Sequence, residues 1–311
     1  MIRTERIDRV ELMRTFVRIV EAGSLSAAAG QLKTTQATIS RRLQSLEAML
    51  GVKLILRTTH AMKLTDDGER GYHHAKHIID AWLALEDGLN VAEDEPVGTL
   101  RVRAPHAFGQ QQLLPPLLQF LARYPSLSVE WMLNDKTVDF LSDNIDCAIR
   151  VGAEVDPATV SVLLAEVPRS VVATPDLLAG LPEITEPVQL SALPWIAVNT
   201  FYQHNVSLTH QHSREPVTLA ITPRLSTDSI YVARNAALAG LGAAIVSTWT
   251  VSDDIAQGRL VELVPDWQAA PLPVHLVYPW ARYYPTRLRK FLELMKAVMP
   301  ELAGMRRPKE E

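Results

Sequence analysis

Thr35-Gln36-Ala37-Thr38-Ile39-Ser40-Arg41-Arg42-Leu43-Gln44-Ser45-Leu46-Glu47-Ala48-Met49-Leu50-Gly51 is the stretch on which the fold turns. At about 100° per residue, Ile39, Leu43, Leu46 and Leu50 fall within about 60° of one another and form a buried stripe. Ala37, Arg41, Gln44 and Ser45 lie on the opposite side, with Ser40 at its edge. Thr34 or Thr35 offers an N-cap, and Gly51 supplies a residue that tolerates left-handed geometry at the end. A helix that enters a DNA groove needs short residues for close approach, then Arg and Gln reaching base edges or phosphates. A merely solvated helix face has the same composition, so the neighbouring segments must decide.

Upstream, Met13, Phe16, Val17 and Val20 recur at helical spacing, and Gly23 ends that helix. Ser24 or Ser26 caps a second helix carrying Ala27, Ala28, Ala29 and Leu32, whose small side chains allow two helices to cross closely. Downstream, Val52-Lys53-Leu54-Ile55-Leu56-Arg57 reads as a strand, Thr58-Thr59-His60-Ala61 as a turn, and Met62-Lys63-Leu64-Thr65 as a return strand. A hairpin directly after a recognition helix is a wing, and Arg57, His60 and Lys63 line it where phosphates or the minor groove lie. Residues 1–65 therefore predict a winged helix-turn-helix.

These residues resemble the N-terminal domain of LysR-type transcriptional regulators. The resemblance runs over residues 12–68, on Phe16, Glu21, Gly23, Ser24, Ala27, Ala28, Leu32, Gln36, Ser40, Leu46, Glu47, Leu50, Gly51, Leu54, Arg57, Leu64, Thr65 and Gly68. Ile55 stands where the family commonly has Phe. The resemblance implies DNA contact by Gln36, Ala37, Ser40, Arg41 and Arg57; the rotation independently selects Ala37 and Arg41. The candidate DNA-contact set is Thr35, Gln36, Ala37, Thr38, Ser40, Arg41, Gln44, Arg57, His60 and Lys63.

Residues 66–92 predict one long helix. Thr65 caps it, and Asp66, Asp67 and Glu69 place negative charge in its first turn. Ala75, Ile78, Trp82, Leu85 and Leu89 follow a heptad-like spacing, a seam for a second subunit. A homodimer through this helix also suits DNA, because two heads read two half-sites. The linker helix of LysR-type regulators has this role, and the resemblance extends the expectation to a homotetramer.

Glu93-Asp94-Glu95-Pro96-Val97-Gly98 marks a boundary. Beyond it, strands Leu100–Ala104, Ser128–Leu133 and Asp146–Val151 alternate with helices at 109–124 and 137–142, which predicts a parallel α/β sheet. Further strands are expected at 170–173, 195–198, 243–246 and 274–278, with helices at 229–239 and 286–299. The region resembles type 2 periplasmic binding proteins. It implies two lobes, about 97–166 plus 267–300 and 167–266, within an effector domain over 93–311. The matching runs include Gly98-Thr99-Leu100-Arg101-Val102, Leu114-Pro115-Pro116-Leu117, Asp146-Cys147-Ala148-Ile149-Arg150-Val151-Gly152 and Ala239-Gly240-Leu241-Gly242. Ligands in such sheets bind beyond the carboxyl ends of strands. That points to His106, Ala107 and Phe108 after the first strand, to Arg150, Val151 and Gly152, and to Asn199, Thr200 and Phe201, with Thr227 or Asp228 near another helix start. Ala107 stands where many relatives place Ser or Thr. A helix N-terminus at 106 modestly favours a small organic anion as effector.

Charge supports the division. Residues 1–65 carry eleven Lys/Arg against five Asp/Glu, a formal +6, while residues 66–311 carry twenty against thirty, a formal −10. A basic head on an acidic body suits a polyanion such as double-stranded promoter DNA. There is no apolar run approaching the roughly 18 residues of a membrane span and no apolar signal-peptide core, so the chain is expected in the cytoplasm. The single Cys147 excludes an internal disulfide. No G-x-S-x-G elbow or P-loop is present, so neither enzyme chemistry nor a cofactor is expected. His73 and His77 lie one turn apart, but no third ligand is evident, and no metal is expected. The fold class is α/β with a mainly α N-terminal domain, and the expected function is an effector-responsive LysR-type regulator. Its rival is a winged-helix protein-interaction module joined to a metabolite-binding body.

Overall fold

The computed structural model describes residues 8–57, 62–89, 95–140, 143–152, 156–202 and 204–308. The head opens with α1 (Arg9–Ala22), capped by the Asp8 carboxylate, which accepts from the N–H groups of Val10 and Glu11 at 3.0 and 3.2 Å. Gly23 ends it at φ 68°. Its buried face is Leu12, Phe16, Val17 and Ile19; Met13 and Val20, which the spacing placed inside, are only half-buried. Ser24, not Ser26, caps α2 (Leu25–Gln31), and Ala28 and Ala29 are buried where α2 crosses its neighbours.

The third helix, α3 (Gln36–Leu50), is capped by Thr35 and closed by Gly51 at φ 73°. Ile39, Leu43 and Leu46 form its buried stripe, but Leu50 does not join them; it is 52% exposed. Glu47 takes the buried position instead. Its carboxylate accepts from the N–H groups of Leu54 and Ile55 at 3.0 and 3.3 Å, and from Lys53 Nζ at 2.6 Å. The two N–H groups belong to buried residues at the start of a short strand, where such donors need partners. That strand, β1 (Ile55–Arg57), pairs antiparallel with β2 (Met62–Leu64) in a wing shorter than the sequence suggested.

Thr65 begins α4 (Asp66–Leu89): its hydroxyl accepts from Gly68 N–H at 2.8 Å and donates to the Lys53 carbonyl at 2.6 Å. Glycine is required at 68, since a Cβ there would sit 2.0 Å from the Leu54 carbonyl oxygen. The first half of α4 completes the head. Ala75 is buried in the head core, with Tyr72 and Ile79 partly buried beside it.

The body continues through β3 (Gly98–Ala104), α5 (His106–Gln111), α6 (Leu114–Arg123), β4 (Leu127–Leu133), β5 (Cys147–Val151) and β6 (Thr159–Ala173). Next come α7 (Pro175–Leu178), β7 (Trp195–Val198), β8 (Asn205–His210), β9 (Pro216–Ala220), β10 (Pro223–Thr227) and α8 (Ile230–Leu238). The chain ends with β11 (Ala243–Ser247), α9 (Thr248–Ala256), β12 (Val261–Leu263), β13 (Trp267–Pro279) and α10 (Thr286–Val298). The expected single helix over 109–124 is two helices. The second starts afresh with Pro115 and Pro116 in its first turn, where the missing N–H groups cost nothing. The expected helix at 137–142 does not form over its described residues; the Asp139 N–H goes to the Asp143 carboxylate at 3.3 Å.

The sheet is mixed rather than parallel. Its order is β10-β7-β11-β6-β13-β5-β3-β4. β4, β3 and β5 are parallel at one end and β10, β7 and β11 at the other, while β6 and β13 run antiparallel between them. These two strands are long because each serves both halves. Their register skips between the pairs Ala269↔Arg169 and Leu272↔Val167. Pro168 and Pro271 lie in that skip, neither having an N–H to give to the ladder. Two lobes therefore meet where two prolines interrupt the pairing. One core gathers Leu100, Val102, Phe120, Phe291 and Met295; the other lobe packs around Trp195 and Ile245 on one face and Val172, Ala233 and Ala237 on the other.

Candidate DNA-reading face and effector cleft

The capped start of α3 presents the head's outer face. Gln36, Ala37, Arg41 and Gln44 are exposed, and Thr38 and Ser40 are half-buried. The Thr35 hydroxyl accepts from the Thr38 N–H at 3.2 Å and lies 2.9 Å from the Thr38 hydroxyl, so both hydroxyls serve the cap. Arg42 turns to α1 and pairs with Glu11, whereas Arg41 has no ion pair among the described residues. Lys63 is exposed on β2, and Arg57 ends β1. His60 lies outside the described residues. The face thus offers a free guanidinium, an amide and small residues with no carboxylate among them, which suits phosphates and base edges.

Of the expected subunit seam, Ile78, Trp82 and Leu85 are 48%, 43% and 39% exposed in the single chain. Ala75, expected in the same seam, is instead covered by its own head in the single chain. Leu89 ends α4. His73 Nδ1 and His77 Nε2 are buried without hydrogen-bond partners, and no group of three metal-type ligands exists among the described residues.

The cleft is a cavity of about 300 Å³ between the lobes. Of the residues expected there, His106, Ala107, Phe108, Arg150, Val151, Thr200 and Phe201 line it. Gly152, Asn199 and Thr227 do not. The Gly152 N–H is committed to the Pro273 carbonyl at 2.9 Å, and Asn199 N–H donates to the Thr227 carbonyl at 2.9 Å, so these residues brace the strand ends. The sequence reading missed Asn134 and Asp135 after β4, Tyr231 in α8, Ser247 at the end of β11 and Trp249 in α9, and Val167 and Leu272 on the crossing strands. The strand-end rule that found the others would have found Asn134, Asp135, Tyr231, Ser247 and Trp249, had the ends of β4, β10 and β11 been read as contributors; Val167 and Leu272 lie inside strands, where the rule is silent.

Asp135 changes the electrostatics expected of the cleft. Its carboxylate oxygens accept from the His106 N–H at 3.3 and 3.4 Å, so the start of α5 already holds a resident carboxylate. Burial pushes the Asp135 carboxyl up; the His106 N–H, His106 ring and Arg150 pull it down, and Asp228 adds to the rise. Arg150 is itself anchored, donating from Nη1 to the Lys136 carbonyl at 3.0 Å. The expected anion position is therefore filled from within. Phe108, Phe201, Tyr231 and Trp249 supply aromatic wall, with Phe108 packed edge-on to Trp249 at 6.0 Å. Behind Phe201, Arg169 stacks on Phe201 and Tyr202 at 5.5 and 5.0 Å and donates from Nε to the Ala270 carbonyl at 2.8 Å. Burial pushes the Tyr202 hydroxyl up to about 12, with Arg169 opposing.

A winged helix-turn-helix joined by one long helix to a two-lobed α/β domain is the architecture of a one-component DNA-binding regulator. The chain belongs to the LysR family of transcriptional regulators. Residues 10–69 match the lysR-family bacterial regulatory helix-turn-helix domain, and residues 93–300 match the LysR substrate binding domain. The chain is 32% identical over 294 residues to the HTH-type transcriptional regulator PtxR of Pseudomonas aeruginosa, covering 94% of each. It is 28% identical to the transcriptional activator TtdR of Escherichia coli, again over 94% of each. Among solved structures, CrgA, a LysR-type regulator of Neisseria meningitidis, superposes with a TM-score of 0.57 at 28% identity, covering 92% of this chain and 97% of that one. Full-length AphB of Vibrio cholerae gives 0.58 at 24% identity, a likeness of fold, over 93% and 99%.

Proposed function

We propose that residues 1–65 bind promoter DNA, that residues 66–92 pair two subunits, and that residues 93–311 bind a small-molecule effector between two lobes. The candidate DNA contacts are those of the α3 start and the wing, with Arg41 as the base- or phosphate-reading residue. Ile78, Trp82, Leu85 and Leu89 form the subunit seam, and two dimers associate into a tetramer. The effector occupies the 300 Å³ cleft and acts only through its different affinities for the lobe arrangements. With Asp135 at the start of α5, the effector need not be an anion. No described helix is long and apolar enough to cross a membrane, and the regulator acts in the cytoplasm.

The observation carrying this reading is the exposed Arg41, without an ion pair among the described residues, on a well-capped helix with its core on the opposite face. Titration of the full-length protein with its own upstream DNA at two salt concentrations tests it. Binding should weaken as salt rises, because bound phosphates release counterions. Absence of salt-dependent binding would favour the protein-interaction module instead.

A further inference from the structure

Tyr231 lies in the first turn of α8 and lines the cleft. Gln111 is the last residue of α5. The Tyr231 hydroxyl donates to the Gln111 side-chain oxygen, 120 residues away in the chain. The two helices belong to different cores: α5 packs through Phe108 into the first lobe, and α8 through Ala233 and Ala237 into the second. This hydrogen bond therefore ties the lobes through helices that are separate from the crossing strands β6 and β13.

An opposing force sits in the same cavity. Asp135 follows β4 in the first lobe, and Asp228 precedes α8 in the second; both line the cleft. Asp135 is partly compensated on its own lobe by the His106 N–H and by Arg150. Asp228 has no hydrogen bond or ion pair among the described residues. Two carboxylates on facing walls push apart what the Tyr231–Gln111 bond holds together.

We propose that Tyr231 and Gln111 are the lobe-positioning pair of the cleft: their hydrogen bond sets the resting separation of the lobes against the Asp135–Asp228 repulsion, and an effector acts by replacing it. This rests on the reading of the cleft as the effector site. The matching ligand has an apolar body for Phe108, Phe201 and Trp249 and a polar end that takes over the Tyr231 hydroxyl. A small dicarboxylate fits poorly between two resident carboxylates.

The test is backbone hydrogen exchange on the full-length protein without any ligand, in Y231F, Q111L, the double variant and D228N. Y231F keeps the ring and removes only the hydroxyl. It should raise exchange in residues 106–111, across the cleft, by up to about fivefold, the worth of one net hydrogen bond. Q111L should do the same in residues 230–238, and the double variant should add nothing to either. D228N should slow exchange in both segments. Changes confined to the mutated helix, additive effects in the double variant, or an unmoved D228N would each overturn the pairing. Because no ligand is used, a coupled pair alongside a cleft that binds no small molecule would refute the effector reading and leave the latch standing.

Discussion

Two side chains of α3 do opposite work. Arg41 points away from the core with no ion pair among the described residues, while Glu47 points inward and satisfies the N–H groups of Leu54 and Ile55. Replacing Arg41 with Ala should cost about 1–3 kcal/mol in DNA affinity and relax sequence preference if it meets a base edge. If it meets only phosphate, the slope of log affinity against log salt should flatten by about one contact. An unchanged affinity and slope would remove Arg41 from the interface. Glu47 governs stability instead. Burial raises its carboxyl, but Lys53 and the N–H groups of Leu54 and Ile55 outweigh this and hold it below its ordinary value of 4.5. A folded-state value below the unfolded one means stabilisation that is full above about pH 4.5 and is lost as pH falls through the folded value. E47Q should lower head stability by about 1–3 kcal/mol at neutral pH. Urea melts of wild type and E47Q should show a smaller gap at pH 3.5 than at pH 7; equal gaps at both would refute the charged role. Arg41 was legible from rotation alone. Glu47 was not, because its burial is dictated by strand donors that no helical period reveals.

At the scale of the element, α4 changes allegiance along its length. Its first half is head: Ala75 is buried, Tyr72 and Ile79 pack beside it, and Gly68 lets the helix start against the Leu54 carbonyl. Its second half leaves Ile78, Trp82 and Leu85 uncovered. A charge at Leu85 should therefore split the subunits without unfolding the head, whereas a charge at Ala75 should destabilise the head itself. Sedimentation of L85D and thermal melting of A75D separate the two; a dimeric L85D would place the seam elsewhere. The heptad reading grouped these residues because 3-and-4 spacing is shared by a coiled-coil seam and a helix lying on its own domain. The body's elements were legible where strands are short and buried, as at 195–198 and 243–247. They were not legible where one strand serves two lobes: β6 runs for 15 residues and β13 for 13, each through prolines that read as breaks.

For the whole molecule, the crossing strands and their two prolines make the lobes separable, and the cleft lies at that junction. A ligand at 100 times its dissociation constant adds about 2.7 kcal/mol to the folded state. In a thermal-shift screen that should raise the melting temperature of the effector domain by roughly 5–10 °C, and the shift should shrink in T200A. The sequence located seven cleft residues because strand ends are readable, yet favoured an organic anion because the Asp135 carboxylate at the start of α5 comes from a loop 29 residues away. The most direct single measurement is a footprint of the full-length protein on its own upstream DNA with and without a compound selected by that screen. Occupied and empty clefts should protect stretches that differ in length or phase by about one helical turn, about 10 base pairs. An identical footprint, with the compound bound and stabilising, would show that the cleft does not speak to the heads.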